Sequence, residues 1–523
     1  MEGIATLDLI IIGVYFFTVL AVGLFIARST KTADDLFLGG RTFGWGLIGL
    51  SLFASNISSS TIIGLSGAAY STGIVQSVYE WMSGLPLIVA ALVFIPLYLN
   101  ARITTIPEFL ELRFDRRSQV FFSAITIFLS ILVDTAGGLY AGAIVLQTFF
   151  PNLILWQTCL VLALIAGIYT AFGGLKAVVY TDAIQAIILI VGCSILTYLL
   201  FQRMDFSWSA VVASAPEGHF SIVRPLDDSS LPWPGLLLGV PILGFWYWVT
   251  NQYIVQRVLG GRNIQHARLG VIFAGFLKVI PLFIMVIPGA MAISLFPGLE
   301  NPDSVFPTTV LEVLPTGLVG LVLAGLISAI MSSVDSTLNS ASTLIVIDFV
   351  KPQYKEITPE RTAFFGRVAT LVLMVIAAVW APMIANFDGI WSYLQQMFSI
   401  VVPPIATIFL LGVFYKRGNA NGAFYTLVIG TLLGVGIFVL GQYGLWNIHY
   451  TINVGIMLGI SAVLFVLFSS FTPAPSIEKV QAYTYRKGLL TEGMEKDTPW
   501  YQDYRVYMSL LLLLIGYILY VFF

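Results

Sequence analysis

Ala54-Ser55-Asn56-Ile57-Ser58-Ser59-Ser60-Thr61 interrupts an otherwise apolar segment, with apolar runs on either side from Trp45 to Phe53 and from Ile62 to Ala69. Each flank alone falls short of the roughly 20 residues of helix that cross a bilayer. Together they suffice, and the polar patch then falls near the midplane. Unwound backbone is tolerated at that depth only where it is buried in protein or lines a cavity. A helix broken there, with carbonyls and hydroxyls released, is the architecture of a substrate and ion site in secondary transporters. The competing reading is a continuous helix whose serines bond back to their own carbonyls and pack closely on neighbours.

Composition supports a membrane setting. Of the 523 residues 58% are hydrophobic and 10% charged, against about 25% charged in soluble domains. The first apolar run, Ile4 to Ala27, lacks a preceding basic residue and is too long for the core of a cleavable signal peptide. Cys159 and Cys193 both lie in apolar runs and read as packing residues. His219, His266 and His449 fall in expected loops, so no histidine metal site is expected.

The apolar runs separate into about fourteen transmembrane helices, near 4–27, 44–70, 77–99, 118–149, 152–172, 177–201, 233–256, 267–297, 314–348, 362–385, 388–414, 421–443, 449–472 and 505–523. Runs 118–149 and 314–348 are long enough to be tilted or to contain a turn. The 25 Lys and Arg test this segmentation. Loops after odd-numbered helices hold 22 of them, while loops after even-numbered helices and the termini hold only Arg203 and Arg224; Lys278 lies within a helix. The positive-inside rule makes the rich side cytoplasmic and places both termini outside. The net charge of −2 gives no reason to expect nucleic-acid binding. The segment Ala101 to Gln119 alternates apolar and charged residues at helical spacing, which predicts an amphipathic helix on the cytoplasmic face. The longest hydrophilic stretches, Gln202 to Leu231 and Thr472 to Tyr504, each leave room for one interfacial helix.

A second broken helix is expected five helices after the first, since such breaks occupy corresponding positions in inverted repeats. Helix 233–256 carries Gly239-Val240-Pro241-Ile242-Leu243-Gly244, and a Gly/Pro cluster there is a plausible break. Ionisable residues at membrane depth come next. Lys278 either serves a site or snorkels to the interface. Glu80 sits near a helix start and reads as a site residue or an outer-surface carboxylate. Asp134 is deeper and has no assigned role. Asp182 reads as a solvated helix cap or as an ion ligand. Ser328, Ser332, Ser333, Asp335, Ser336, Thr337, Ser340 and Ser342 crowd helix 314–348. Gathered oxygens suit a hard monovalent cation such as Na⁺; small-residue packing accounts for some of them but not for Asp335.

These residues carry a resemblance. The chain resembles the sodium/solute symporter family, within it the sodium/sugar branch. The similarity runs from the loop Asp35-Leu36-Phe37-Leu38-Gly39-Gly40-Arg41 to Phe414-Tyr415-Lys416-Arg417 and beyond. The matching motifs are Ala54-Ser55-Asn56-Ile57, Tyr79-Glu80-Trp81, Ile168-Tyr169-Thr170-Ala171-Phe172-Gly173-Gly174-Leu175, Trp246-Tyr247-Trp248, Phe276-Leu277-Lys278, Ser332-Ser333 and Tyr393-Leu394-Gln395.

The resemblance implies an all-α polytopic membrane protein with a leucine-transporter-type core of two inverted five-helix repeats, whose first and sixth core helices are broken. The corresponding division is 1–43 for an extra helix and loop, 44–201 for the first repeat, 202–232 for an outer loop, 233–417 for the second repeat and 418–523 for three further helices. It implies one Na⁺ held by the carbonyls of Ala54, Ile57 and Ala329 and the hydroxyls of Ser332 and Ser333. A second Na⁺, held only in some members, would use Asp182, Ser332, Asp335 and Ser336. The sugar would meet Asn56, Thr61, Tyr79, Glu80, Ser83, Lys278 and Gln395, stacked on Tyr247 beside Trp248. The gates would be Tyr79, Trp391 and Leu65 on the outer side and Tyr247 on the inner. Two departures bear on the solute. Thr61 stands where sugar-carrying members place a longer Gln or His, and Gly244 where an Asn or Thr would face the sugar. Both shorten the reach of the pocket and predict a changed sugar preference.

The implied function is Na⁺-coupled uptake of a monosaccharide or related polyol across a cell (inner) membrane, with the lipid bilayer, the solute and Na⁺ as the partners. Alternatives are a sodium-coupled symporter for another small solute such as myo-inositol or a carboxylate, and a non-transporting sugar sensor of the same fold. A channel needs a continuous polar file rather than a midplane cluster between aromatics. An enzyme needs a nucleophile and base, and no histidine or cysteine is placed for that.

Overall fold

The computed structural model describes residues 5–27, 39–170, 175–354, 356, 358–494 and 499–523. The motif around Ala171 to Gly174 and the start of the Asp35 loop lie outside the described residues. So do the side chains of Ser328, Ser332 and Asp335, whose backbone is helical.

Each of the fourteen apolar runs contains helix. In chain order these are α1 (Thr6–Ala27), the pair α2 (Trp45–Asn56) and α3 (Ser59–Thr72), α4 (Ile74–Ala101), a short α5 (Ile106–Arg113), α6 (Arg116–Phe149), α7 (Leu155–Thr170) and α8 (Leu175–Gln202). The second half holds α9 (Gly235–Thr250), α10 (Gln252–Leu259), α11 (Ile264–Leu295), α12 (Val305–Val313), α13 (Leu318–Leu344), α14 (Pro359–Trp380), α15 (Ile390–Phe414), α16 (Ala420–Gln442), α17 (Tyr450–Ser470) and α18 (Tyr504–Val521). The two hydrophilic stretches each hold one short helix, Trp208–Ser214 and Ile477–Tyr483.

The first break is where the sequence puts it: α2 and α3 meet at 61°. Its cause is local. Ile57 leaves the helix at φ −79°, ψ 69°, and Ser58 starts the next helix by accepting from the Thr61 amide through its own hydroxyl. The Ser58 amide turns to the Asn56 carbonyl at 2.8 Å, so Ala54 O loses its usual donor four residues on. Thr61 Oγ1 also donates to Asn56 O at 2.8 Å.

The second break differs from expectation. The chain is helical through Gly239-Val240-Pro241 and leaves the helix only at Asn251, φ −75°, ψ 123°. Pro241 lacks an amide donor, and the preceding turn, Gly235–Gly239, widens to a π-turn instead of breaking. The glycines there serve packing against α17. A Cβ on Gly235 would lie 1.9 Å from Thr451 Oγ1, and one on Gly239 2.4 Å from Thr451 O.

The segment 101–119 also differs. Only Ile106–Arg113 is helical before α6 begins, and its apolar face packs on protein. Phe109 sits 5.0 Å from the Tyr98 ring, and buried Arg113 donates to Gly412 O at 2.8 Å. Run 118–149 is one span with a π-turn at Ser130–Thr135, and run 314–348 is α13 with a π-turn after it. Cys159 and Cys193 are buried and free.

Candidate functional site: a closed midplane cavity beside the broken helix

A cavity of about 80 Å³ lies against the break between α2 and α3. Asn56, Ser58, Ser60 and Thr61 form one wall, Glu80 and Ser83 of α4 another, and Gln395 of α15 a third. Tyr247 and Trp248 come from the π-turn Trp246–Thr250, immediately before the second break. Gly244 lines the cavity too, and a Cβ there would already lie 3.2 Å from Pro86. A helix break thus presents both the polar and the aromatic walls.

Lys278 stands behind the cavity wall. Its ammonium, fully buried, donates to the Glu80 carboxylate and to Asn56 Oδ1, and lies 5.7 Å from the Trp248 ring centre. The lysine therefore does not snorkel, and Glu80 is not an outer-surface carboxylate. A charge taken out of water is tolerated when an opposite charge and further hydrogen bonds meet it.

Aromatic pairs flank the cavity on two sides. Towards the loop 202–231, Tyr79 and Trp391 meet edge to face at 5.5 Å. Tyr79 Oη lies 3.2 Å from Tyr450 Oη, and Trp391 Nε1 donates to Gln76 at 3.1 Å. Leu65 is buried outside the cavity wall. Towards the opposite side, Tyr247 Oη and Tyr253 Oη are 2.7 Å apart. Beneath them Arg257 pairs with Asp182 at 3.2 Å, donates to Ser51 Oγ at 3.1 Å and reaches the Tyr253 carbonyl. Ser55 Oγ donates to the same Asp182 oxygen at 3.2 Å. Asp182 is buried seven residues into α8, so it is not a solvated helix cap. This network ties α2, α8 and α10 together below the cavity.

Sequence reasoning missed Arg257, counting it with the cytoplasmic loop charges; its place four residues after Tyr253 on a helix was the available signal. It also missed Tyr253, Tyr450 and Gln76, whose partners lie far away in the chain.

For a monovalent cation, the released Ala54 carbonyl, the Ile57 carbonyl at the break and Ser333 of α13 offer neutral oxygens, and α13 packs on both α2 and α3. The donor set fits Na⁺. Ala329 is buried on the same helix, and Ser336 lies one turn beyond Ser332.

A helical bundle with a broken helix beside a cavity is the fold of leucine-transporter-type symporters. A solved Na⁺-coupled sialic acid symporter, substrate-bound and outward-open, matches with a TM-score of 0.77 at 24% identity, over 90% of this chain and 100% of that one. Mhp1, a nucleobase-cation-symport-1 family transporter, matches with a TM-score of 0.58 at 13% identity, over 87% of this chain and 99% of that one. The family model described as the sodium:solute symporter family matches residues 36–430, and the chain belongs to that family. Among its relatives, human sodium/myo-inositol cotransporter 2 is 35% identical, covering 92% of this chain and 79% of the relative. Sodium/glucose cotransporter 1 of Oryctolagus cuniculus is 34% identical, covering 90% and 80%.

Proposed function

We propose that the protein is a secondary active transporter that couples inward Na⁺ movement to uptake of a monosaccharide or related polyol by alternating access. The observation that carries this reading is the cavity itself. Asn56, Glu80, Ser83 and Gln395 offer hydroxyl-pairing groups between aromatic walls, beside a helix break that releases carbonyl oxygens. Relatives named for myo-inositol and glucose support a polyhydroxylated solute.

Na⁺ would bind at Ala54, Ile57, Ala329, Ser332 and Ser333 and hold α13 against the broken helix. The solute would then meet an assembled pocket. Such coupling is reciprocal: solute raises Na⁺ affinity by the same factor. Opening of the Tyr79–Trp391 pair admits solute from outside, and parting of Tyr247 from Tyr253 releases it inward. The membrane potential contributes about 2.3 kcal/mol per charge per 100 mV. In this reading the two inverted repeats are 44–201 and 233–417, both termini face outward, and a second Na⁺ uses Asp182, Ser332, Asp335 and Ser336.

Uptake of labelled glucose and myo-inositol into proteoliposomes tests the proposal. An inward Na⁺ gradient drives accumulation of at least one of them. Binding without flux identifies a sensor, and current without coupling a channel; either overturns the reading.

A further inference from the structure

Six carboxylates reside in or against the apolar bundle among the described residues, and five have donors. Glu80 has Lys278 and Asp182 has Arg257. Asp8 accepts from the amides of Gly317 and Gly320 at 2.6 and 2.7 Å, capping α13. Asp303 accepts from the Ile390 amide at 3.0 Å, capping α15. Asp348 accepts from Gln119 and Ser123. Asp134 is the exception: its carboxylate has no hydrogen-bond or ion-pair partner among the described residues, and it lines the cavity.

Its position is built. The π-turn Ser130–Thr135 inserts an extra residue into α6, and Thr135 Oγ1 holds the turn by donating to Ser130 O at 2.6 Å. Thr337 of α13 braces the same hydroxyl at 2.8 Å. Such single π-turns inside long helices recur at functional sites. Glu80, the other acid in the cavity wall, is already neutralised by Lys278, so Asp134 would leave the cavity with one unbalanced negative charge whenever it ionises. A buried charge without a partner is costly, and at membrane depth it marks a place where a partner arrives.

We propose that Asp134 receives a cationic group of the transported solute, so that the cavity prefers a sugar or polyol bearing a protonated amine over its neutral counterpart. The inference rests on the reading of the cavity as the solute site, and it names the substrate class more narrowly. The neutral walls pair the hydroxyls, while Asp134 supplies the charge-assisted hydrogen bond to an ammonium.

The test is competition in proteoliposomes at a pH where the amine is protonated, with D-glucosamine set against D-glucose as inhibitors of Na⁺-driven uptake. Thermal stabilisation of the purified protein by each sugar is followed in parallel. The expected preference for glucosamine is about 10- to 100-fold, the range of one charge-assisted hydrogen bond. It should fall to near one in Asp134→Asn and persist in Asp134→Glu, which keeps the charge if Asp134→Asn folds poorly. No preference in the parent, or the same preference in Asp134→Asn, overturns the inference. So does proton-driven uptake of the neutral sugar that is lost in Asp134→Asn, since the carboxylate then takes a proton instead. If Na⁺ drives uptake of neither sugar, the transport reading itself falls; Na⁺-driven glucose uptake without an amine preference sinks only this step.

Discussion

Lys278 of α11 and Glu80 of α4 form an ion pair withdrawn from solvent at the wall of the cavity beside the helix break, and Asn56 at that break also accepts from the lysine. The pair thus joins three segments at the site. Removing one member leaves a buried charge unmatched, at a cost of about 3–5 kcal/mol. Glu80→Ala or Lys278→Ala should lower thermal stability steeply, whereas Glu80→Leu with Lys278→Leu should recover most of it without recovering solute binding. Gln395 lines the cavity and has no protein hydrogen bond among the described residues, so Gln395→Ala should spare stability and weaken solute by about 1–3 kcal/mol. Thermal melts and solute titrations on the same preparations separate the two behaviours.

The ion site predicts a different signature. Ser332→Ala with Ser333→Ala would remove two of the hydroxyls proposed to hold Na⁺ together with Ala54, Ile57 and Ala329. Half-activation by Na⁺ should rise at least ~10-fold, about 1.4 kcal/mol. By reciprocity, solute affinity at fixed Na⁺ should fall too, while solute affinity extrapolated to saturating Na⁺ stays near the parent's. An unchanged Na⁺ activation curve moves the ion away from this face of α13.

The loop 202–232 should carry a pH-dependent contribution to stability. His219 is buried, its Nε2 has no hydrogen-bond partner among the described residues, and its carbonyl accepts from the Ile74 amide at 2.9 Å where α4 begins. Burial, with Arg224 adding to it, holds its pKa below the usual histidine value. The unfolded chain then takes up a proton, near pH 6.5, before the folded loop does, so stability is full above that pH and falls as the pH drops below it. His219→Gln should flatten the acid limb of the melting-temperature profile between pH 7 and 5. An unaltered profile assigns the acid sensitivity elsewhere.

Much of the site is legible in the sequence because hydroxyls and charges are conspicuous in apolar surroundings. Ser58 and Thr61 announce the first break, and Glu80, Lys278 and Gln395 stand out at depth. The second break is not legible in the same way. Gly239, Pro241 and Gly244 look like a helix interruption, yet Gly239 answers to Thr451 on α17, more than two hundred residues on, and Gly244 to Pro86 on α4. The actual break at Asn251 carries no Gly or Pro. Arg257 illustrates the same limit. Position in the chain counts it with loop charges, and only the fold brings it to Asp182, Ser51 and the Tyr253 carbonyl.

That Arg257–Asp182 pair bears on the expected second Na⁺. In this structure Arg257 already supplies positive charge to Asp182, so a cation there and the arginine compete for one carboxylate. A second ion would then bind only once α10 moves away and parts Tyr253 from Tyr247, linking it to the inward-open state. Arg257→Met removes the cationic partner of Asp182 and should shift the population towards that state. The check is faster thiol labelling of a cysteine introduced beneath Tyr253, slowed again by Na⁺ loss in the double variant with Asp182→Asn. The companion measurement is the reversal potential in proteoliposomes, which separates one Na⁺ per solute from two. Two in the parent, falling to one in Asp182→Asn, supports the second site. One in both assigns Asp182 to fastening α8 against α2 and α10, with no ion of its own.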